Sequence, residues 1–417
     1  MPFVLRPEQR QVVDKGKAIL KQFGIVYLAC EVRTGKNVMS MTIAKEGARR
    51  VYNKVLFATK KGAITGVESD LALTGYRFQK FKITNFEQLQ HEKAEYDLVI
   101  VDEAHSIGAY AKPTLRAKEL KRIAANGADI ILMSGTPTPE SKSQIYHQFW
   151  VSELSPFASL YPNFYKWAKE FVIVTKKFVN GWQVNDYSKA KSDKIDAFLK
   201  SYIVTLSQEQ AGFTSFVDEE IMYVDIDPQL YSLMKILKKN KVYKMKTRTD
   251  VIVADTPVKM QSIFHQLSSG TLKIEENRIA LDDSKIRFIK ERFRGQKIAI
   301  YYKFIAEGDL IKKWFPNYTE DPHEFNSRKD LVFVRQMVSG REGVNLSTAD
   351  WLVMYNIDFS ATTYWQVRAR MQTKDRIAAA KLAWIFSRYG IEKTVYAAVA
   401  KKKDFTLEYF KQYLFDL

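Results

Sequence analysis

Asp102 and Glu103 directly follow the apolar, β-branched run Val99-Ile100-Val101. Such a run reads as a buried parallel strand, and open α/β sheets bind ligands beyond the carboxyl ends of such strands. Two adjacent carboxylates placed there suit NTP hydrolysis. Asp102 would hold Mg²⁺, and Glu103 would polarise the attacking water beside the γ-phosphate. For the pair taken alone, a solvated acidic turn is the plainer alternative.

Upstream, the apolar run Ile25-Val26-Tyr27-Leu28-Ala29 leads into Cys30-Glu31-Val32-Arg33-Thr34-Gly35-Lys36-Asn37 and then a helical pattern over residues 38–50. A loop between strand and helix turns backbone N–H groups and the helix dipole toward an anion. Arg33, Thr34 and Gly35 would line that loop, and Lys36 would reach the terminal phosphates of ATP. The usual pattern has glycine at the position of Cys30 and Ser or Thr at that of Asn37. An amide oxygen can ligate Mg²⁺, but more bulkily, so Asn37 as a metal ligand predicts a displaced ion and slow turnover. The alternative is that Asn37 only caps the helix. Ahead of the loop, Gln9 in Leu5-Arg6-Pro7-Glu8-Gln9 carries an amide suited to an adenine edge.

Other strands end in polar groups. Val55-Leu56-Phe57-Ala58 leads to Thr59, Lys60 and Lys61, and Ile83 leads to Thr84 and Asn85. Thr59, Lys60 and Thr84 offer hydroxyl and cationic contacts to a phosphate backbone. Ile130-Ile131-Leu132-Met133 ends in Ser134-Gly135-Thr136-Pro137. Strands alternating with helices imply an α/β, doubly wound parallel sheet over residues 1–150.

At 417 residues the chain implies two or three domains. Its 46% hydrophobic and 13% aromatic content suits packed domains and not disorder. A single cysteine, Cys30, excludes an internal disulfide framework and a four-cysteine metal site. No opening signal pattern or membrane-length apolar run is present, so the expectation is a protein of the reducing cytoplasm, with no membrane partner. The net charge of +18, from 65 Lys+Arg against 47 Asp+Glu, points to a polyanion, nucleic acid first. The densest run lies between Lys235 and Arg248, with a spacing that fits a helix with one cationic face.

Taken in order, Leu5-Arg6-Pro7-x-Gln9, the Lys36 loop, Asp102-Glu103-Ala104-His105 and Ser134-Gly135-Thr136-Pro137 resemble superfamily two helicases and translocases, whose acidic motif is the DEAH box. Lys82-Ile-Thr-Asn-Phe-Glu-Gln-Leu89 and Phe149-Trp-Val-Ser-Glu-Leu-Ser-Pro-Phe-Ala-Ser159 are similar to the Swi/Snf-related branch, and the short loops to its compact bacteriophage members. The resemblance runs over nearly the whole chain. Lys297-Ile-Ala-Ile-Tyr-Tyr-Lys-Phe304 resembles the strand opening a second RecA-like domain. Residues 338–350 resemble the fifth motif, and Gln366-Val-Arg368-Ala-Arg370 the start of the sixth.

That resemblance implies two RecA-like domains, 1–150 and 281–417, with a helical protrusion and linker region over 151–280. It implies ATP and Mg²⁺ held between the domains, with hydrolysis coupled to closure. Gly343 would serve the nucleotide and Asn345 the nucleic acid. Gln366 and Arg370 would act in catalysis, Arg370 on the γ-phosphate. Thr373 stands where a second arginine belongs, which Arg376 or Arg368 could replace. The expected activity is ATP-driven translocation on duplex or branched DNA by a monomer in the cytoplasm, the host's if the protein is viral. The alternatives are an RNA helicase and a nucleotide-regulated nucleic-acid-binding protein with little turnover.

Overall fold

The protein is described from a computed structural model covering residues 3–179, 182–213, 217–245, 251–337, 346, 348–360, 363, 364 and 380–401. The chain divides into two compact units, Met1–Phe213 and Thr214–Leu417.

In the first unit the strands are β1 (Ile25–Cys30), β2 (Lys54–Thr59), β3 (Lys80–Asn85), β4 (Leu98–Val101), β5 (Asp129–Met133) and, after the hairpin β6 (Thr175–Val179) and β7 (Trp182–Asp186), β8 (Ile203–Leu206). They form a six-stranded sheet in the order β3-β2-β4-β5-β1-β8, and every pairing is parallel. Parallel strands need crossovers, supplied here by α2 (Lys36–Glu46), α3 (Ile64–Thr74) and α4 (Leu115–Ala124), while α1 (Pro7–Phe23) precedes β1. β4 and β5 are buried at every position, so the strands read as continuous apolar runs. Alternate residues serve opposite cores. Ile25, Tyr27, Val99, Val101, Ile130 and Leu132 face one, shared with the aromatic side chains Tyr146, Phe157, Trp167 and Phe171. Val26, Leu28, Ile100, Ile131 and Met133 face the other, under α1 and α2.

In the second unit the strands are β9 (Val217–Val224), β10 (Val242–Lys244), β11 (Val251–Val253), β12 (Thr271–Ile274), β13 (Asn277–Ala280), β14 (Ile298–Tyr302), β15 (Tyr318–Thr319), β16 (Val332–Gln336), β17 (Trp351–Met354) and β18 (Ala380–Ser387). A second wholly parallel sheet runs β15-β16-β14-β17-β18-β9, again with a core on each face. The expected α/β class with two doubly wound parallel sheets is therefore what the chain forms.

The stretch 151–280 is shared between the units instead of standing apart as helices. Within it, the helix Ser192–Leu199 is followed by a short 3₁₀ turn and then β8, whose residues pair with Tyr27–Cys30 of β1. The β-branched Ile203, Val204 and Thr205 favour the strand once an open sheet edge is available. The lysine-rich run likewise begins on the helix Pro228–Asn240, which buries Leu230, Leu233, Met234 and Leu237. It turns at Lys241, with a positive φ of 66°, and continues as β10. Among the described residues no helix is long and apolar enough to cross a membrane.

Candidate active site

The phosphate-loop candidate leaves the carboxyl end of β1, and the acidic pair leaves that of β4; only β5 lies between them. Two strand spacings put them roughly 10 Å apart on one rim of the sheet. Because the strands are parallel, both face the same way.

Gly35 caps α2 in the left-handed region at φ 91°, and a Cβ there would lie 2.3 Å from Gln9 Nε2. Arg33 also has positive φ, at 63°. The loop between strand and helix is thus tightly turned. Thr34 is fully buried, its hydroxyl donating to Glu31 O at 2.8 Å. Lys36 Nζ donates to Cys30 O and Glu31 O at 3.0 and 3.1 Å, folded back over the loop. Its charge also reaches Asp102 and Glu103. Burial pushes the Cys30 thiol up to about 11, so it stays a neutral core group.

Gln9 Nε2 donates to Thr34 O at 2.9 Å, and Gln9 Oε1 accepts from Arg6 N at 3.1 Å. In this structure its amide braces the loop from α1. Two further supports join it, Arg6 from the same motif and Gln208, which has no sequence signal. Arg6 donates to Thr34 O at 3.2 Å. Gln208, just beyond β8, donates its side-chain amide to Val32 O at 3.1 Å and its backbone N–H to Glu31 Oε2 at 2.7 Å.

Asp102 is buried, accepting from Thr59 Oγ1 and from Glu103 N, each at 2.9 Å. Burial, and then the neighbouring Glu103 charge, raise its carboxyl above the ordinary range. Glu103 stands in the left-handed region at φ 49°, where it starts a 3₁₀ turn. Burial opposes its ionisation, but the His105 hydrogen bond and charge, with Lys36 and Lys60, outweigh it and hold its carboxyl low. His105 Nδ1 lies 3.1 Å from Glu103 Oε2 and 2.9 Å from Ser134 Oγ. Ser134 Oγ in turn accepts from Thr136 N at 3.1 Å. The end of β4 is thereby tied to the end of β5.

Asn37 lies in the first turn of α2, but Gly35 is the capping residue. Its Nδ2 donates to Asp70 Oδ2 of α3 at 2.8 Å. The amide is engaged away from the acidic pair.

Thr59 is fully buried with its hydroxyl on Asp102, and Thr84 is buried as well, so neither offers the surface contact expected of it. Lys60, at the end of β2, is partly exposed. Gly343, Asn345, Gln366, Arg368, Arg370, Thr373 and Arg376 lie outside the described residues.

Among the described residues no three His, Cys, Asp or Glu side chains converge on a metal position. The donor set still fits Mg²⁺. This ion keeps several waters and takes one or two protein carboxylates beside substrate phosphates. Asp102, a buried carboxylate pressed against a second one, is stabilised by any cation placed there.

No family model matches the chain, and no curated protein does. Among solved structures, the Sulfolobus solfataricus SWI2/SNF2 ATPase core in complex with dsDNA is similar at 14% identity and TM-score 0.42, covering 96% of this chain and 92% of that one. The Sulfolobus solfataricus SWI2/SNF2 ATPase core domain is similar at 14% identity and TM-score 0.43, covering 96% of this chain and 89% of that one.

Proposed function

We propose that this chain is a DNA-stimulated ATPase that uses hydrolysis to move along or remodel duplex or branched DNA, acting as a monomer in the cytoplasm. One observation carries the reading. Lys36 and the Asp102–Glu103 pair stand at carboxyl ends of parallel strands one strand apart, with Glu103 held as a carboxylate by His105.

In this reading Lys36 leaves the loop carbonyls for the terminal phosphates, and the loop N–H groups take the rest of the polyphosphate. Bound Mg²⁺ would neutralise charge developing on the phosphoryl oxygens. Asp102 is its protein ligand, held in place by Thr59. Glu103 orients and polarises the attacking water, and its link through His105 to Ser134 couples the water site to the end of β5. Arg370, assisted by Gln366, supplies positive charge in the transition state, and Asn345 and Lys60 contact the nucleic acid. The charge of +18 supports a polyanionic partner.

A second reading, a nucleotide-regulated DNA binder with little turnover, draws on the engagement of Asn37 with Asp70. ATP turnover with and without linear duplex separates the two. Stimulation by duplex supports the motor, whereas tight ATP-dependent DNA binding with no stimulation supports the binder. Preference for single strands over duplex would instead favour an unwinding helicase.

A further inference from the structure

The hairpin β6–β7 is built from residues that make no core. Its register pairs Lys177 with Val184, Phe178 with Gln183 and Val179 with Trp182. Every described side chain from Lys176 to Asn185 is exposed. Phe178 and Trp182 are each 77% exposed. Side chains of a strand alternate between faces, so Lys176 and Phe178 share one face while Lys177, Trp182 and Val184 share the other. Each face of this ribbon therefore carries one large aromatic ring and one lysine.

A two-stranded ribbon with no covered face gains little stability from its side chains. Its root, by contrast, is firmly held. Ile173 N donates to Lys189 O at 2.8 Å, closing the base of the ribbon. Ser141 and Ser143 donate their hydroxyls to Ser188 O and Tyr187 O at 2.7 and 2.6 Å. Ser141 and Ser143 follow closely on the Ser134–Pro137 segment that contacts His105, so the ribbon is anchored beside the hydrolysis site's own support.

We infer that this hairpin is a wedge for the branch point of DNA, with an unpaired base of one strand stacking on Phe178 and one of the other strand on Trp182. The inference rests on the DNA-directed reading above. Base stacking on aromatic side chains is strong and indifferent to sequence, and a lysine beside each ring suits the accompanying phosphates. Lys176 makes no ion pair among the described residues, and Lys177 only a 3.5 Å, half-exposed contact to Asp186. A protein surface or a second copy laid against the ribbon would cover one ring and leave the other in water. Two diverging strands engage both.

The test uses the full chain and a forked duplex bearing 2-aminopurine at the first unpaired position of one arm or the other, with a linear duplex as control. Wild type should quench both arms. Phe178→Ala and Trp182→Ala should each abolish quenching of one arm and weaken fork affinity about tenfold, the scale of one lost stack. Phe178→Tyr and Trp182→Phe should restore it. Linear-duplex affinity and duplex-stimulated ATPase should not change in any variant. Unchanged fork affinity and quenching in both alanine variants would overturn the wedge. So would an equal loss on linear duplex, or a wild-type dimer that the alanine variants dissolve. A wild type that binds forks through these rings but shows no duplex-stimulated ATPase would overturn the motor reading alone.

Discussion

The side-chain amide of Asn37 donates to Asp70 Oδ2 at 2.8 Å, joining the first turn of α2 to α3 at the position where a hydroxyl ligand to Mg²⁺ is usual. Burial raises the Asp70 carboxyl, and the Asn37 hydrogen bond pulls the other way. The pair is therefore a local structural bond whose carboxylate needs its donor. An amide so engaged is a poor metal ligand. Asn37→Ala should leave the Mg²⁺ concentration for half-maximal ATP turnover within about twofold of wild type, because no ligand is lost. Asn37→Thr should lower that concentration by offering a compact hydroxyl. A several-fold higher Mg²⁺ requirement in Asn37→Ala would instead make Asn37 a native ligand.

Glu103 is held ionised by His105, Lys36 and Lys60, which suits a residue that orients and polarises water. Glu103→Gln should keep ATP affinity within a few-fold of wild type while lowering turnover by ~100-fold or more. Single-turnover kinetics with equilibrium ATP binding checks both halves. Wild-type turnover in this variant would remove Glu103 from the chemistry.

Thr59 tests the same site from behind. Its hydroxyl donates to Asp102 from a fully buried position. Thr59→Val keeps the shape and removes one donor from a buried carboxylate, a change worth about 1–3 kcal/mol in its immediate environment. The expected outcome is reduced Mg²⁺-dependent turnover with unchanged DNA affinity and salt dependence. A weakened DNA affinity would return Thr59 to the phosphate backbone.

The contrast between Thr59 and Val101 shows which parts of the chain were legible. Val99–Val101, Ile130–Leu132 and Ile298–Tyr302 announce themselves as buried strands, since burial on both faces leaves a continuous apolar run. The order of Lys36, Asp102 and Ser134 after β1, β4 and β5 was legible for the same reason. What a strand-tip hydroxyl bonds to was not, because Thr59 finds Asp102 through the pairing of β2 with β4 and not through local spacing. Asp70 reaches Asn37 across a similar gap in sequence, and Gln208 reaches Val32 across a far longer one. The resemblance implies a helical region where β8 and the hairpin lie, whereas edge position and cross-strand pairing, which no local pattern reveals, decide their form.

Nucleic-acid affinity should be mostly electrostatic. For six or more phosphate contacts, duplex affinity falls about 1,000-fold or more between about 50 and 200 mM monovalent salt. It should vary little with base sequence, since phosphate contacts carry no sequence information. Lys235 and Lys239 lie exposed on the helix Pro228–Asn240, whose opposite face is buried. If they touch phosphates, Lys235→Gln and Lys239→Gln should each reduce the salt slope by about one. A flat salt response in wild type would exclude phosphate as the main partner.

His265 makes a separate prediction about the second unit. It is fully buried, its Nε2 lies 2.6 Å from Asn356 Oδ1, and its Nδ1 has no hydrogen-bond partner among the described residues. Asn356 is itself fixed, donating Nδ2 to Glu307 Oε1 at 2.5 Å and accepting from Ile357 N at 2.7 Å. Its oxygen therefore faces His265, which must donate from Nε2 and remain neutral at Nδ1. Burial, followed by the Lys303 charge, holds the imidazole well below its ordinary value, and Lys285 adds to the effect. The folded state thus refuses a proton that the unfolded chain accepts. Stability from this residue is complete above the unfolded value near 6.5 and is lost as pH falls below it, by up to about 1.4 kcal/mol per pH unit. His265→Gln offers an amide donor to Asn356 without a titrating nitrogen. Denaturant unfolding of the full chain between pH 7 and pH 5.5 should show wild type losing more stability than this variant over that interval. Parallel losses in the two proteins would mean that the imidazole is protonated within the fold, with Nδ1 finding an acceptor after all.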